Sequence, residues 1–155
     1  MEIAKVLAAG ISGTTAMTAF SYVLSEAKEK NFKEPLLLAN MIRSLMPHLH
    51  KENAYKAGWA VHYSVGIFFA LVYKYILQKN RKTGSVKKGT IMGGLTGLAA
   101  VAIWQMTFRL HPNPPKTHYN RFYGQLVVAH IIFGVVTISL LDDRTCAGQK
   151  TNTLN

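Results

Sequence analysis

The chain is short of acid. Of its 155 residues only seven are Asp or Glu, and none of them lies between Glu52 and Asp142. A water-soluble domain mixes both signs over its surface and has about a quarter of its residues charged. Here the charged fraction is 16%. There is one cysteine, Cys146, so no disulfide can form within the chain and the redox compartment is not written in it. No phosphate loop, nucleophile elbow, HExxH motif or CxxC pair occurs. With packing motifs plentiful and chemistry motifs scarce, the chain reads as non-enzymatic.

What is present is charge of the other sign. Eighteen Lys and Arg give a formal net charge of +11, which in a soluble domain points to nucleic acid. These cations gather instead in short segments between apolar runs, as with Lys74, Lys79, Arg81, Lys82, Lys87 and Lys88. Loops facing anionic lipid are built this way, so the lipid bilayer is the expected partner and nucleic acid is not.

A helix needs about 20 mostly apolar residues to cross a hydrocarbon core of ~30 Å. Four stretches qualify: residues 3–24, 57–77, 89–108 and 122–141. None holds an acidic residue, and basic side chains sit only near their ends, where they can snorkel. Tyr55, Trp59, Tyr73, Tyr75, Trp104, Tyr119 and Tyr123 crowd the same ends as an interfacial belt. The first stretch is long for the apolar part of a cleaved signal and is kept as a helix. The fold expected is all-α, an integral membrane four-helix bundle over residues 1–141, with a polar and disordered tail over 142–155.

The first connection holds a further apolar run, residues 35–46, opened by Pro35 and closed by Pro47. It is too short to span. Proline suits a first helical turn and forbids continuation at the far end, so a short helix is expected. It lies either in the membrane interface or packed across the mouth of the bundle.

Spacing suggests a tandem repeat of a two-helix unit. The first span carries Gly10-x-x-Gly13-x-x-Ala16 and the third Gly94-x-x-Gly97-x-x-Ala100. The second carries His62-x-x-x-Gly66 and the fourth His130-x-x-x-Gly134. The order is the same in both halves, which describes a parallel repeat about an axis along the membrane normal. Gly89, Gly93 and Gly97 recur every four residues and line one face, where a neighbouring backbone can approach closely. With Gly10, Gly13, Gly66 and Gly134 they are the expected packing positions, within the bundle or against another subunit. The short second connection is purely basic, which favours the cytoplasm for it and for both termini.

All six histidines fall towards one side of the predicted membrane. His62 and His130 lie within spans at matched depth; His48, His50, His111 and His118 lie in connections. The intramembrane pair could hydrogen-bond neighbouring helices, ligate haem iron, or meet a transition metal, quinone or other small ligand. The connection set could furnish a tetrahedral metal site. The spans lack carboxylates, which argues against an ion-coupled transporter or pump. Arg109, beside His111-Pro112, reads as a snorkelling residue or a grip for a lipid phosphate.

Three segments carry a resemblance: residues 9–19 (AGISGTTAMTA), residues 58–73 (GWAVHYSVGIFFALVY), and Ala129-His130 followed by Gly134. In these the chain resembles the YagU-like and related small bacterial four-helix inner-membrane proteins of unknown function. The resemblance implies a bacterial inner membrane and four helices, and carries no activity with it. The functional expectation is an accessory or assembly subunit or a small ligand-binding module, with a haem- or metal-binding role for His62 and His130 as the alternative.

Overall fold

The computed structural model describes residues 2–28, 32–79, 85–114 and 118–142. They form five helices: α1 (Glu2–Lys28), α2 (Glu34–Leu45), α3 (Lys51–Lys79), α4 (Val86–Leu110) and α5 (Tyr119–Leu141). No strand occurs among them. All four long helices are long and apolar enough to cross a membrane, and a helix satisfies its backbone internally, as lipid demands. This is a multi-pass membrane protein. The polar tail beyond Asp142 lies outside the described residues.

Local chemistry sets the helix ends. Ser85 caps α4 by accepting a hydrogen bond from the Lys88 amide at 3.3 Å. That helix stops where His111 precedes Pro112, its last amide bonded to the Thr107 carbonyl. Pro35 starts α2 directly after Glu34, as proline suits a first helical turn. Its end comes at Leu45, just before Met46 and Pro47.

Packing runs α4–α5–α1–α3, and α2 lies against α3. Small residues make each close approach. A Cβ at Gly93 would lie 2.7 Å from the Ile131 Cα, and one at Gly134 would lie 2.7 Å from the Gly93 Cα, so α4 and α5 meet backbone to backbone. Gly89 meets Val135, and Gly97 meets Val127 and His130. On the other side Gly10 meets Ile67, Gly66 meets Thr14, and Gly13 faces Phe133 and Thr137 of α5.

The repeat motif read from spacing does not coincide with this packing. Gly94 has nothing within 4 Å of an added Cβ. The close approaches made are Gly10 on Ile67, Thr14 on Gly66, Gly89 on Val135 and Gly93 on Gly134. The helix α4 is apolar on every side, so its sequence does not mark which glycines face inward.

The buried face of α1 is polar and the exposed face of α4 is apolar. On α1, Thr14, Thr18, Ser21 and Ser25 are buried along one face, while Ile91, Leu95, Leu98, Ile103 and Met106 of α4 are exposed, as lipid-facing residues should be. Three of these buried hydroxyls bond back to the carbonyl four residues earlier: Thr14 to Gly10, Thr18 to Thr14 and Ser25 to Ser21.

Of the two placements expected for the short helix, it takes the packed one: Glu34, Pro35, Leu37, Ala39 and Met41 are buried. Gly58 of α3 makes room, since a Cβ there would sit 2.8 Å from the Ala39 amide nitrogen. Docked in this way, α2 carries a carboxylate into a bundle whose predicted spans had none.

Candidate functional site

Glu34 is 2% exposed. Its Oε1 accepts a hydrogen bond from Gln125 Nε2 of α5 at 2.8 Å, and Ser21 Oγ of α1 lies at 2.9 Å from the same oxygen. The Ser21 hydroxyl also lies 3.1 Å from Gln125 Oε1 and has one proton to give, so it donates to one acceptor at a time. Glu34 Oε2 is buried without a partner. Burial pushes this carboxyl up to about 7, against the lowering effect of the bonds from Gln125, its own backbone and Ser21.

Glu34 lines a cavity of about 160 Å³ together with His62 and His130. Its walls come from Val61, Val65 and Phe69 of α3, Ile103 and Trp104 of α4, and Phe133 of α5. The helices α3 and α4 are joined at one level by a 2.7 Å bond between the Tyr73 and Thr96 hydroxyls. Elsewhere α3 and α4 make little contact with each other, and the wall residues Val61, Val65 and Ile103 are exposed. The cavity thus opens sideways, toward lipid.

Hydrogen bonds assign both imidazole tautomers. Thr18 gives its one proton to the Thr14 carbonyl at 2.6 Å, so its oxygen can only accept from His62 Nε2 at 2.9 Å. In the neutral ring that leaves His62 Nδ1 bare. His130 Nδ1 is 2.8 Å from the Leu126 carbonyl, an obligate acceptor, so Nδ1 carries the proton and Nε2 is bare. Neither bare nitrogen has a partner among the described residues. Against His130 lies Gly97 of α4, which has no hydroxyl to offer. Thr18→Val should leave the His62 N–H unsatisfied, at about 1–3 kcal/mol, and shift its ring to the other tautomer. Thermal unfolding and imidazole nitrogen shifts measure the two effects; an unchanged tautomer would contradict the assignment.

The other four histidines do not gather. His48, His50 and His118 are exposed. His111 is buried, with Nε2 donating to the Met41 carbonyl at 3.3 Å and Nδ1 accepting from the Asn113 amide at 3.1 Å, which ties the end of α4 to α2. Among the described residues no three His, Cys, Asp or Glu side chains come together as a metal site. Haem does not fit the cavity either. An apolar cavity of ~150 Å³ accepts benzene, so this space holds one ring and not a porphyrin. Arg109 lies with Gln105, Phe108, Tyr119 and Tyr123 around a separate surface hollow.

Sequence reasoning found His62 and His130 and missed Glu34, Gln125 and the α1 hydroxyls. A signal existed for the hydroxyls, since Thr14, Thr18, Ser21 and Ser25 are spaced four, three and four apart, one helix face. Compared with protein-family models, curated proteins and solved structures, the chain matches none of them.

Proposed function

We propose that this chain is a small ligand-binding protein of the bacterial inner membrane, with both termini in the cytoplasm, as the YagU-like resemblance and the basic second connection favour. Its cavity holds one small lipophilic molecule that enters between α3 and α4 and carries a hydrogen-bond donor at its polar end. The observation that carries this reading is the pair of cavity-lining imidazoles, His62 and His130, each with an unpartnered ring nitrogen. A bare nitrogen in an apolar cavity is an acceptor awaiting a donor.

Benzyl alcohol, a single ring with one hydroxyl, is a suitable probe. The chain has two tryptophans, so in a Trp59→Phe background the fluorescence of Trp104 reports on the cavity wall alone. Titration in mild detergent should give a saturable change. Replacing His130 with Phe should weaken binding about tenfold, the worth of one hydrogen bond. A response linear in ligand, unaltered by that substitution, would mean partition into detergent and no site.

A further inference from the structure

We propose that Glu34 gives this cavity a preference for lipophilic ammonium ions, which it takes up in exchange for the carboxyl proton. The inference rests on reading the cavity as a ligand site, and names the class of ligand that suits it.

Once the Glu34 carboxyl has given up its proton, the polar groups around the cavity are short of donors. His62 Nδ1 and His130 Nε2 are bare, and Glu34 Oε2 has no partner. An ammonium group is all donors, three N–H bonds and no acceptor. Phe69, Trp104 and Phe133 line the walls, and aromatic rings attract a cation further. The opening lies between apolar surfaces of α3 and α4, so the ammonium must belong to an apolar body of about one ring.

A cation in so dry a place needs a counter-charge, and Glu34 is the one acid among the residues lining the cavity. Held neutral, the carboxyl leaves the empty cavity uncharged. When the ammonium arrives, the carboxyl O–H bond breaks, its proton passes to water, and the carboxylate pairs with the cation; no other bond changes. The total charge inside the membrane is the same before and after. Burial supports the protonated empty state by raising the carboxyl to about 7.

The titratable groups around Glu34 are Tyr22 on α1, His62 on α3 and His130 on α5. The cavity-lining residues of α4, Ala100, Ile103, Trp104 and Thr107, include none. Lys33, next in sequence, pairs with Glu26 and lies over the Tyr22 ring. Glu34 is the group among these whose proton an ammonium would displace.

Benzylamine and benzyl alcohol share a ring and differ in charge, so they separate the two readings. Both are titrated into the full chain in mild detergent, with Trp59→Phe, from about pH 5.5 to about pH 8, where alkylammonium groups stay charged. Affinity for benzylamine should rise about tenfold per pH unit up to about pH 7 and then level off, as displacement of one proton requires. At about pH 6 in weak buffer, binding should release close to one proton per ligand. Benzyl alcohol should show neither slope nor release. Glu34→Gln should remove both for benzylamine and weaken it about a hundredfold at about pH 8, while still binding benzyl alcohol, which reports an intact cavity. Flat benzylamine affinity in the wild type, or undiminished binding by Glu34→Gln, would overturn the proposal. Saturation by neither probe would overturn the ligand site and this inference together.

Discussion

Leucine at Gly93 is expected to break the bundle, and leucine at Gly94, one residue on, is expected to be harmless. A Cβ at Gly93 would lie 2.7 Å from the Ile131 Cα and would strike the His130 carbonyl, both backbone atoms of α5 that no rotamer change can move. At Gly94 it would meet nothing within 4 Å. Overpacking a tight contact costs typically 1–3 kcal/mol, and here the upper end, about 3 kcal/mol, applies because α4 packs mainly on α5. The Tyr73–Thr96 bond is too little to hold it. Gly94→Leu should instead gain a few tenths of a kcal/mol to about 1 kcal/mol from helix propensity. Thermal unfolding of both variants in mild detergent decides the matter. Equal stability of the two would refute the α4–α5 contact, and with it the α4 wall of the cavity.

The second large effect is a pH dependence with an unusual sign. Folding raises the Glu34 carboxyl from its ordinary 4.5 to about 7. Between those values the unfolded chain has released the proton and the folded chain still holds it. Stability from this group is therefore fully present below about pH 4.5 and is lost as pH rises to about 7, by roughly 3 kcal/mol in all. Most carboxylates work the other way, being stabilised when ionised. The difference between wild type and Glu34→Gln isolates this group: glutamine keeps the shape, cannot ionise, and should be the more stable protein at about pH 8. A wild type that gains stability relative to Glu34→Gln across the same window would show that the carboxylate is well served where it lies.

Much of the membrane architecture is legible before any folding. The four apolar runs answer to a length requirement set by lipid, and the helices found over them extend a few residues past each estimate. Pro35 and Pro47 bracket α2 because proline starts helices well and continues them badly. The candidate site was half legible. His62 and His130 stand out as imidazoles in apolar sequence, and both line the cavity. Glu34 escaped because a search for carboxylates within spans looks only at spans, and this one arrives on a short helix between two of them. The contact face of α4 escaped because a helix apolar all round has no period to read.

Composition and run length alone made this a membrane protein of four spans, since solvation of apolar side chains and backbone depends on local sequence and on lipid. Which residues meet was decided only by tertiary structure. Gly93 rather than Gly94 faces α5, α2 packs on the bundle, and an acid from a connection shares a cavity with two imidazoles. The physical reason is that burial, hydrogen-bond partners and proton affinity belong to the space between helices, and that space exists only once they have packed.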